Sequence, residues 1–595
     1  MKKTRRSQAH RDAAPTLPAR SETSRPFLPR GVVLAILAVL VAGAVTFAHR
    51  PVLEARALCI DDQDYLTANR LVQHPSWESA GRFLKEVVRP STVGGYYQPL
   101  AMISLMLDYA VAGRPDNLKP FHRTSLILHV ANTLVIMWLL YALFGRPWIA
   151  AAVALLFGVH PMTVETIAWV GERKTLLATF FALPCLLAYV RYARRGGWKS
   201  YLACLVLYVL ALMSKPTSTP LPLVMLLLDF WPLNRLSRWT VVEKAPFLLA
   251  AGVFAIITIV SQGHIELSAI HPLSAGQTFL VICHNLVFYP QHMVWPAHLS
   301  SLYPFPEDIS LSNGILLANV IVIAAMLLLL LISLRWTRAF LAGWLCFFAL
   351  LSPTLLNLGY SPSIAWDKYA YLPTFGVLLI LGRVLDWLAG DWTRSRFAWR
   401  AVALGASLVA AAGMLAISTR HYLREWQTSE RHCFYMLRLA PNSANVLNHC
   451  GNVLDTDKQY ERAIECYTRA IELAPGLEYA YNNRGNTYNT LQRYDLAIQD
   501  YDKAIALKPD YATAYCNRAN TFSDMGRYDE AVRDYTKAVE LKSGYADAYH
   551  NRAIAFFYLQ KYDQAWADIG MFRRLGGTPD PGLISALTAA TGRSE

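Results

Sequence analysis

Two adjacent carboxylates, Asp61 and Asp62, stand in the stretch Cys59-Ile60-Asp61-Asp62-Gln63-Asp64-Tyr65, directly after the first long apolar run of the chain. An acidic pair just outside a membrane span points to chemistry at the membrane surface. Other residues able to do chemistry recur in short segments between later apolar runs. They are His160-Pro161-Met162-Thr163-Val164-Glu165, then Trp169-Val170-Gly171-Glu172-Arg173-Lys174, then Ser214-Lys215-Pro216. His284 follows, and the series closes with Trp366-Asp367-Lys368-Tyr369. What such residues do depends on the elements that bring them together.

Those elements are apolar helices. Of 595 residues, 54% are hydrophobic and only 16% charged, which excludes an ordinary soluble protein. A bilayer core takes about 20 apolar residues per helix. Candidate spans lie at 31–48, 121–144, 148–160, 174–192, 199–213, 218–231, 245–261, 312–334, 339–357, 370–389 and 400–418, eleven in all. Residues 1–30 carry eight Lys and Arg against two acids and read as a disordered basic cytoplasmic tail. The run at 31–48 lacks a small-residue cleavage site and reads as an uncleaved signal anchor. The net charge of +14 sits largely at membrane borders, so nucleic-acid binding is not implied.

Charge asymmetry sets a topology. With the N-terminus inside, the loops 145–147, 192–198, 232–244, 335–338 and 390–400 all face the cytoplasm and all carry basic residues. This holds only if 276–296, with two His, an Asn and a Pro, is interfacial or re-entrant rather than spanning. The residues able to do chemistry then share the outer face with the C-terminal domain. His122, His129 and Asn132 fall along one span and are expected to bond neighbouring helices. Trp295, Trp366 and Trp387 are expected in an interfacial belt. The nine cysteines show no spacing that implies a disulfide framework or a metal site.

The segment 421–595 has a 34-residue period. Ala463, Ala497, Ala531 and Ala565 share one position; Tyr467, Tyr501 and Tyr535 share another. This is the tetratricopeptide pattern of paired antiparallel helices, with repeats over about 444–579. Asn483, Asn517 and Asn551 recur at one position, each followed by Arg. They are candidates for gripping an extended peptide backbone; the alternative is that they serve contacts between repeats. The expected fold class is therefore all-α: a polytopic helical bundle over 31–420, followed by an α-solenoid.

The order of motifs resembles a known family. The Asp-Asp after the first span, Tyr97-Gln98-Pro99-Leu100, His160-Pro161 with Glu165, Gly171 with Arg173, Asp367-Lys368-Tyr369 and the terminal repeats together are similar to the tetratricopeptide-repeat-containing protein O-mannosyltransferases and their bacterial relatives. These are membrane glycosyltransferases of the GT-C class. The resemblance covers roughly 31–580. Two departures are Lys368, where relatives usually carry Arg, and the short repeat array.

The resemblance implies an inverting transfer from a polyprenyl-phosphate-linked sugar, mannose or another hexose, to Ser or Thr hydroxyls of a protein presented by the repeats. Asp61 is then the expected general base, with Asp62 second. The pair could also hold a divalent cation, the one candidate cofactor. Arg173, Lys174, Lys215 and Lys368 become candidates to stabilise the leaving lipid phosphate, with Arg suited to bidentate contact. Glu165, His160, His284, Asp367 and Tyr369 are candidates for sugar or acceptor support. Arg173 and Lys174 could instead snorkel to headgroups, and Lys215-Pro216 could simply begin a helix. The expected location is a bacterial inner membrane with the repeats periplasmic, or an endoplasmic-reticulum membrane with the repeats lumenal. Two rival readings are a membrane-anchored repeat scaffold for an envelope or pilus complex, and a transporter or flippase. The second fits poorly, because the ionisable residues gather at one face rather than at the midplane.

Overall fold

A computed structural model describes residues 29–57, 62–67, 69–87, 97–262, 273–355, 363–390 and 398–593. Asp61, residues 1–28 and Ser361-Pro362 lie outside the described residues. Among the described residues there is no β-strand, only isolated bridges. A helix stands at each of the eleven apolar runs, from Arg30–His49 to Ala398–Arg424.

Crossing the membrane is a stricter requirement than being apolar. Among the described residues six helices are long and apolar enough to do so alone, or seven if the bent pair Pro147–Gly158 and Pro161–Ala168 is one span. Helix length and composition alone thus support six or seven of the eleven expected crossings among the described residues. Leu221–Phe230 has 10 residues, a rise of about 15 Å against a hydrocarbon core of about 30 Å. The bent pair turns by 56°. Its cause is Pro161, which supplies no N–H and keeps His160 extended at φ −75°, ψ 131°. The Ala275–Val294 helix, expected as interfacial or re-entrant, is not among the six.

The bundle is packed by small residues and polar bonds. A Cβ on Gly376 would collide with the Gly343 carbonyl, so the helices Ala339–Leu355 and Thr374–Ala389 approach where neither has a side chain. His129 Nδ1 lies 2.7 Å from the Tyr371 hydroxyl and its Nε2 lies 2.9 Å from the Gly158 carbonyl. The Asn132 amide donates to Leu176 O at 3.1 Å, and His122 Nε2 lies 3.1 Å from Ala55 O. These residues join helices, as their position in a span suggests. Other faces stay uncovered: only 11% of the apolar window of Gly314–Ser333 is buried within the protein, as suits a helix facing lipid.

A knot of charges closes the expected inner end. Lys244 is fully buried and donates to Asp229 at 2.9 Å, Glu243 at 2.7 Å, the Tyr189 hydroxyl at 2.6 Å and Thr240 O at 2.9 Å. Arg235 joins from the same loop, donating to Asp229 at 2.8 Å. Every hydrogen of the buried ammonium is thus met, the condition under which a charge can be held away from water.

Beyond Ser429–Leu439 come four helix pairs, Ala444–Thr456 with Tyr460–Leu473 through to Ala546–Tyr558 with Tyr562–Arg574, closed by Pro581–Thr591. The period has a steric cause: a Cβ on Gly485 would stand 2.8 Å from the Tyr501 ring. Arg484, Arg518 and Arg552 each fork onto one aspartate, Asp500, Asp534 and Asp568 respectively, at 2.6–2.8 Å. The asparagine row makes contacts between repeats, the alternative given for it above. Asn483 donates to Asn448 and Asn452 at 3.2 and 3.0 Å, Asn517 to Asn482 at 3.0 Å, and Asn551 to Asn520 at 3.0 Å. These amides hold each repeat to the one before it.

The solenoid is tied to the bundle by the segment 298–305. Tyr435 donates to Leu299 O at 2.7 Å, and Ser301 Oγ lies 2.6 Å from His432 Nε2. Leu302 packs with Cys433, Met436 and Val446. A disulfide joins Cys433 to Cys450, with Cα atoms 5.3 Å apart. The spacing of the cysteines implied no framework, and this pair shows why: partners 17 residues apart on consecutive helices have no sequence signature.

Candidate active site

Glu172 is the N-cap residue of the Arg173–Arg195 helix and is almost fully buried. Three ammonium groups from three elements converge on its carboxylate. Lys215, the residue that caps Trp198–Ser214, approaches Oε2 to 3.3 Å. Lys368, in the turn Asp367–Ala370, approaches Oε1 to 3.3 Å, and Lys174 lies 3.7 Å from the same oxygen. The Thr175 hydroxyl donates to Oε2 and accepts from Lys215 at 2.7 Å.

Aromatic rings complete the cluster without neutralising it. Lys368 Nζ stands 3.4 Å from the Trp169 ring centroid and 4.3 Å from that of Trp366, the geometry of a cation–π contact. Trp366 is thus buried over a lysine and not part of an interfacial belt. Lys174 donates to the Tyr65 hydroxyl at 2.8 Å, which also accepts from Gln98 at 2.8 Å. Lys215 lies 5.8 Å from the Tyr369 ring centroid. Burial pulls the Lys215 ammonium down to about 8; the Glu172 carboxylate opposes this, while Lys174 and Lys368 add to it.

The acidic segment reaches the same place. Asp62 is buried, and its Oδ1 accepts the Gly171 N–H at 2.7 Å. This hydrogen bond fixes Asp62 one residue from the carboxylate that gathers the lysines. Asp61, the expected base, lies outside the described residues. For a divalent cation, the described residues gather no group of three or more His, Cys, Asp or Glu.

Behind Lys368 lie two more buried carboxyl groups. Glu165 Oε2 accepts the Lys368 backbone N–H at 2.8 Å, while Oε1 has no partner. Asp367 Oδ1 accepts the Tyr303 hydroxyl at 3.1 Å, and Oδ2 has no partner. Burial pushes the Asp367 carboxyl well above the usual range, and the Glu165 carboxylate adds to the effect. Asp367, His160, Thr163, Tyr371 and Thr374 line the polar part of a cavity of about 130 Å³ whose remaining wall is apolar, with Leu156, Leu378 and Leu415.

Two candidates are placed elsewhere. Arg173 is buried, donating to Asp108 at 2.7 Å, Ser104 at 2.8 Å, Ser125 at 3.3 Å and Phe121 O at 2.6 Å. Its guanidinium binds helices together and has no fork left for a phosphate. His284 lies on Ala275–Val294, its Nδ1 3.0 Å from the Asn319 amide, apart from the lysines. His160 caps the turn that follows it, accepting from Met162 N–H at 3.2 Å. The residue that sequence reasoning missed is Glu172. The available signal was one acid set directly before Arg173-Lys174 on a face otherwise supplied with cations.

The architecture is that of an apolar helical membrane bundle carrying a tetratricopeptide array. Family models match within the array: "TPR repeat" at 485–526 and "Tetratricopeptide repeat" at 444–477 and 512–545. The chain is similar to Protein O-mannosyl-transferase Tmtc2 of Drosophila melanogaster, 30% identical over 143 residues, 23% of this chain and 15% of the relative. It is 33% identical to Protein O-mannosyl-transferase TMTC1 of Mus musculus over 118 residues, 20% of this chain and 12% of the relative. The aligned parts are thus a small share of those longer proteins. Among solved structures, the first TPR of Spaghetti (RPAP3) bound to an HSP90 peptide is 28% identical, covering 20% of this chain and 94% of that one at a TM-score of 0.20. MamA is 24% identical, with shares of 25% and 86% and a TM-score of 0.24.

Proposed function

We propose that the chain is a membrane glycosyltransferase that moves a hexose from a polyprenyl-phosphate donor to a Ser or Thr hydroxyl of a protein acceptor on the outer side of the membrane. The observation that carries this reading is the convergence of Lys174, Lys215 and Lys368 beside the anchored Asp62. Positive groups fixed in a nearly dry site stabilise charge that appears during a reaction, because they need no reorganisation when it forms. In the proposed step the acceptor O–H proton passes to a carboxylate of the Asp61–Asp62 pair. The hydroxyl oxygen bonds to the anomeric carbon, the bond from that carbon to the phosphate oxygen breaks, and the lipid phosphate leaves carrying the extra negative charge. Attack opposite the leaving group gives inversion. Glu165 and Asp367, each with an open carboxyl oxygen, are suited to sugar hydroxyls. The repeats supply a surface for a protein or peptide.

The test is co-expression in a glycosylation-tolerant bacterial host, followed by intact-mass analysis of co-purified envelope proteins. A hexose increment with wild type that is lost in Asp61→Asn is expected. An increment that persists unchanged in Asp61→Asn would remove the proposed base, and capture of envelope proteins with no increment in either sample would favour the scaffold.

A further inference from the structure

We infer that Glu172 is a positioning residue, a built-in anion that draws the ammonium groups of Lys174, Lys215 and Lys368 into one pocket so that they meet an incoming phosphate together. The inference deepens the phosphate-binding reading above and rests on it.

The three lysines come from a helix start, a helix end and a 3₁₀ turn that is distant in sequence. Their shared anionic partner in the cluster is Glu172. Hydroxyls and ring faces also touch these ammonium groups, Thr175 and Tyr369 at Lys215, Tyr65 at Lys174, Trp169 and Trp366 at Lys368, and the Glu165 carboxyl acts on Lys368 and Lys215 through its charge. The hydroxyls and rings orient an ammonium and leave its charge intact. Three ammonium groups meeting at one carboxylate give an incoming anion three donors in one place. Side-chain exposures of 13%, 14% and 7% for Lys174, Lys215 and Lys368 against 2% for Glu172 place the ammonium groups nearer to solvent than the carboxylate that gathers them. A phosphate can therefore bridge the three nitrogens from the more exposed side while Glu172 holds them together.

Without that carboxylate the arrangement has two ways to fail. The ammonium groups repel one another, so convergence is lost. Lys215 faces Lys174, Lys368, Glu172, Glu165, Thr175 and the Tyr369 ring, and burial pulls its ammonium down to about 8. Glu172 is the group that raises it. Removing that charge makes Lys215 release its proton at lower pH, and phosphate binding then weakens at neutrality.

The experiment uses the full chain in detergent micelles and measures binding of inorganic phosphate and of farnesyl phosphate between pH 6 and 9, for wild type, Glu172→Gln, Glu172→Asp and Lys215→Met. Wild-type affinity is expected to fall through about pH 8. In Glu172→Gln the falling limb moves toward acid by about one unit, roughly a tenfold weakening near neutrality. Glu172→Asp restores most of it, and Lys215→Met loses the limb. Stronger binding of farnesyl phosphate than of inorganic phosphate assigns the site to a lipid-linked phosphate, and the reverse order assigns it to the free ion. A Glu172→Gln profile that superimposes on wild type overturns the inference. So does an equal loss in Glu172→Gln and Glu172→Asp at every pH, which marks a merely structural carboxylate. If wild type binds neither phosphate, the anion site itself falls, and the inference with it.

Discussion

Asp62 shows how a single carboxylate can look like a base and be built as a tie. Its Oδ1 accepts a backbone N–H, a bond that an asparagine oxygen can replace and an alanine cannot. Asp62→Asn is therefore expected to keep the site assembled and retain at least a tenth of the transfer rate. Asp62→Ala is expected to lose about 10²-fold or more, because a buried N–H is left unpaired. Asp61→Asn is expected to fall by about 10²–10⁴-fold, the scale of a lost general base. Initial rates of the three variants on one acceptor, with circular dichroism as a folding control, separate the roles. An Asp62→Asn enzyme as dead as Asp61→Asn would show that the tie reading is wrong. The residue types of the site were legible in the sequence, because lysines and acids stood out between apolar runs. Their grouping was not. Arg173 and Lys174 are neighbours in sequence, yet one binds Asp108 inside the bundle and the other faces Glu172. A helix start sends consecutive side chains about 100° apart, which no one-dimensional reading resolves.

At the scale of elements, hydropathy located the helices and the 34-residue period located the repeats, since both are repeating patterns of burial. Helix length and partner choice escaped it. A short apolar helix such as Leu221–Phe230 has the composition of a span without its reach, and a row of asparagines reads alike whether it awaits a ligand or bonds the next repeat. The two ends of the chain also differ in how much one charge matters. Lys244→Met leaves Asp229 buried with one partner fewer and is expected to cost about 3–5 kcal/mol. Arg518→Ala breaks a partly exposed fork to Asp534 and is expected to cost about 1.5–3 kcal/mol. Unfolding midpoints in detergent, followed by tryptophan emission for the bundle and by limited proteolysis for the repeats, would check the order. A Lys244→Met protein as stable as wild type would show that the knot at the expected inner end is dispensable.

The whole molecule is set by how the bundle and the solenoid join. Cys433 and Cys450 lie at that join, and disulfides persist in oxidising compartments. In protein taken from membranes with thiols blocked at once, this pair is expected to be oxidised and Cys466 and Cys516 free. Mass spectrometry of non-reduced peptides reads this directly, and a reduced Cys433–Cys450 pair would argue against an outer location for the repeats. The same join bears on anyone who would give this bundle a different solenoid. The change of composition near residue 420 invites a cut there, but Ser429–Leu439 belongs to both parts: it holds Leu299 and Ser301 on one side and Cys450 on the other. From Leu299 and Ser301 the segment runs through Tyr303 to Asp367, next to Lys368. A graft made at residue 420 would discard the partners of that segment and disturb a carboxyl group beside the lysines. Interchange of recognition modules should instead begin after the first helix pair, leaving residues up to Leu473 with the membrane domain.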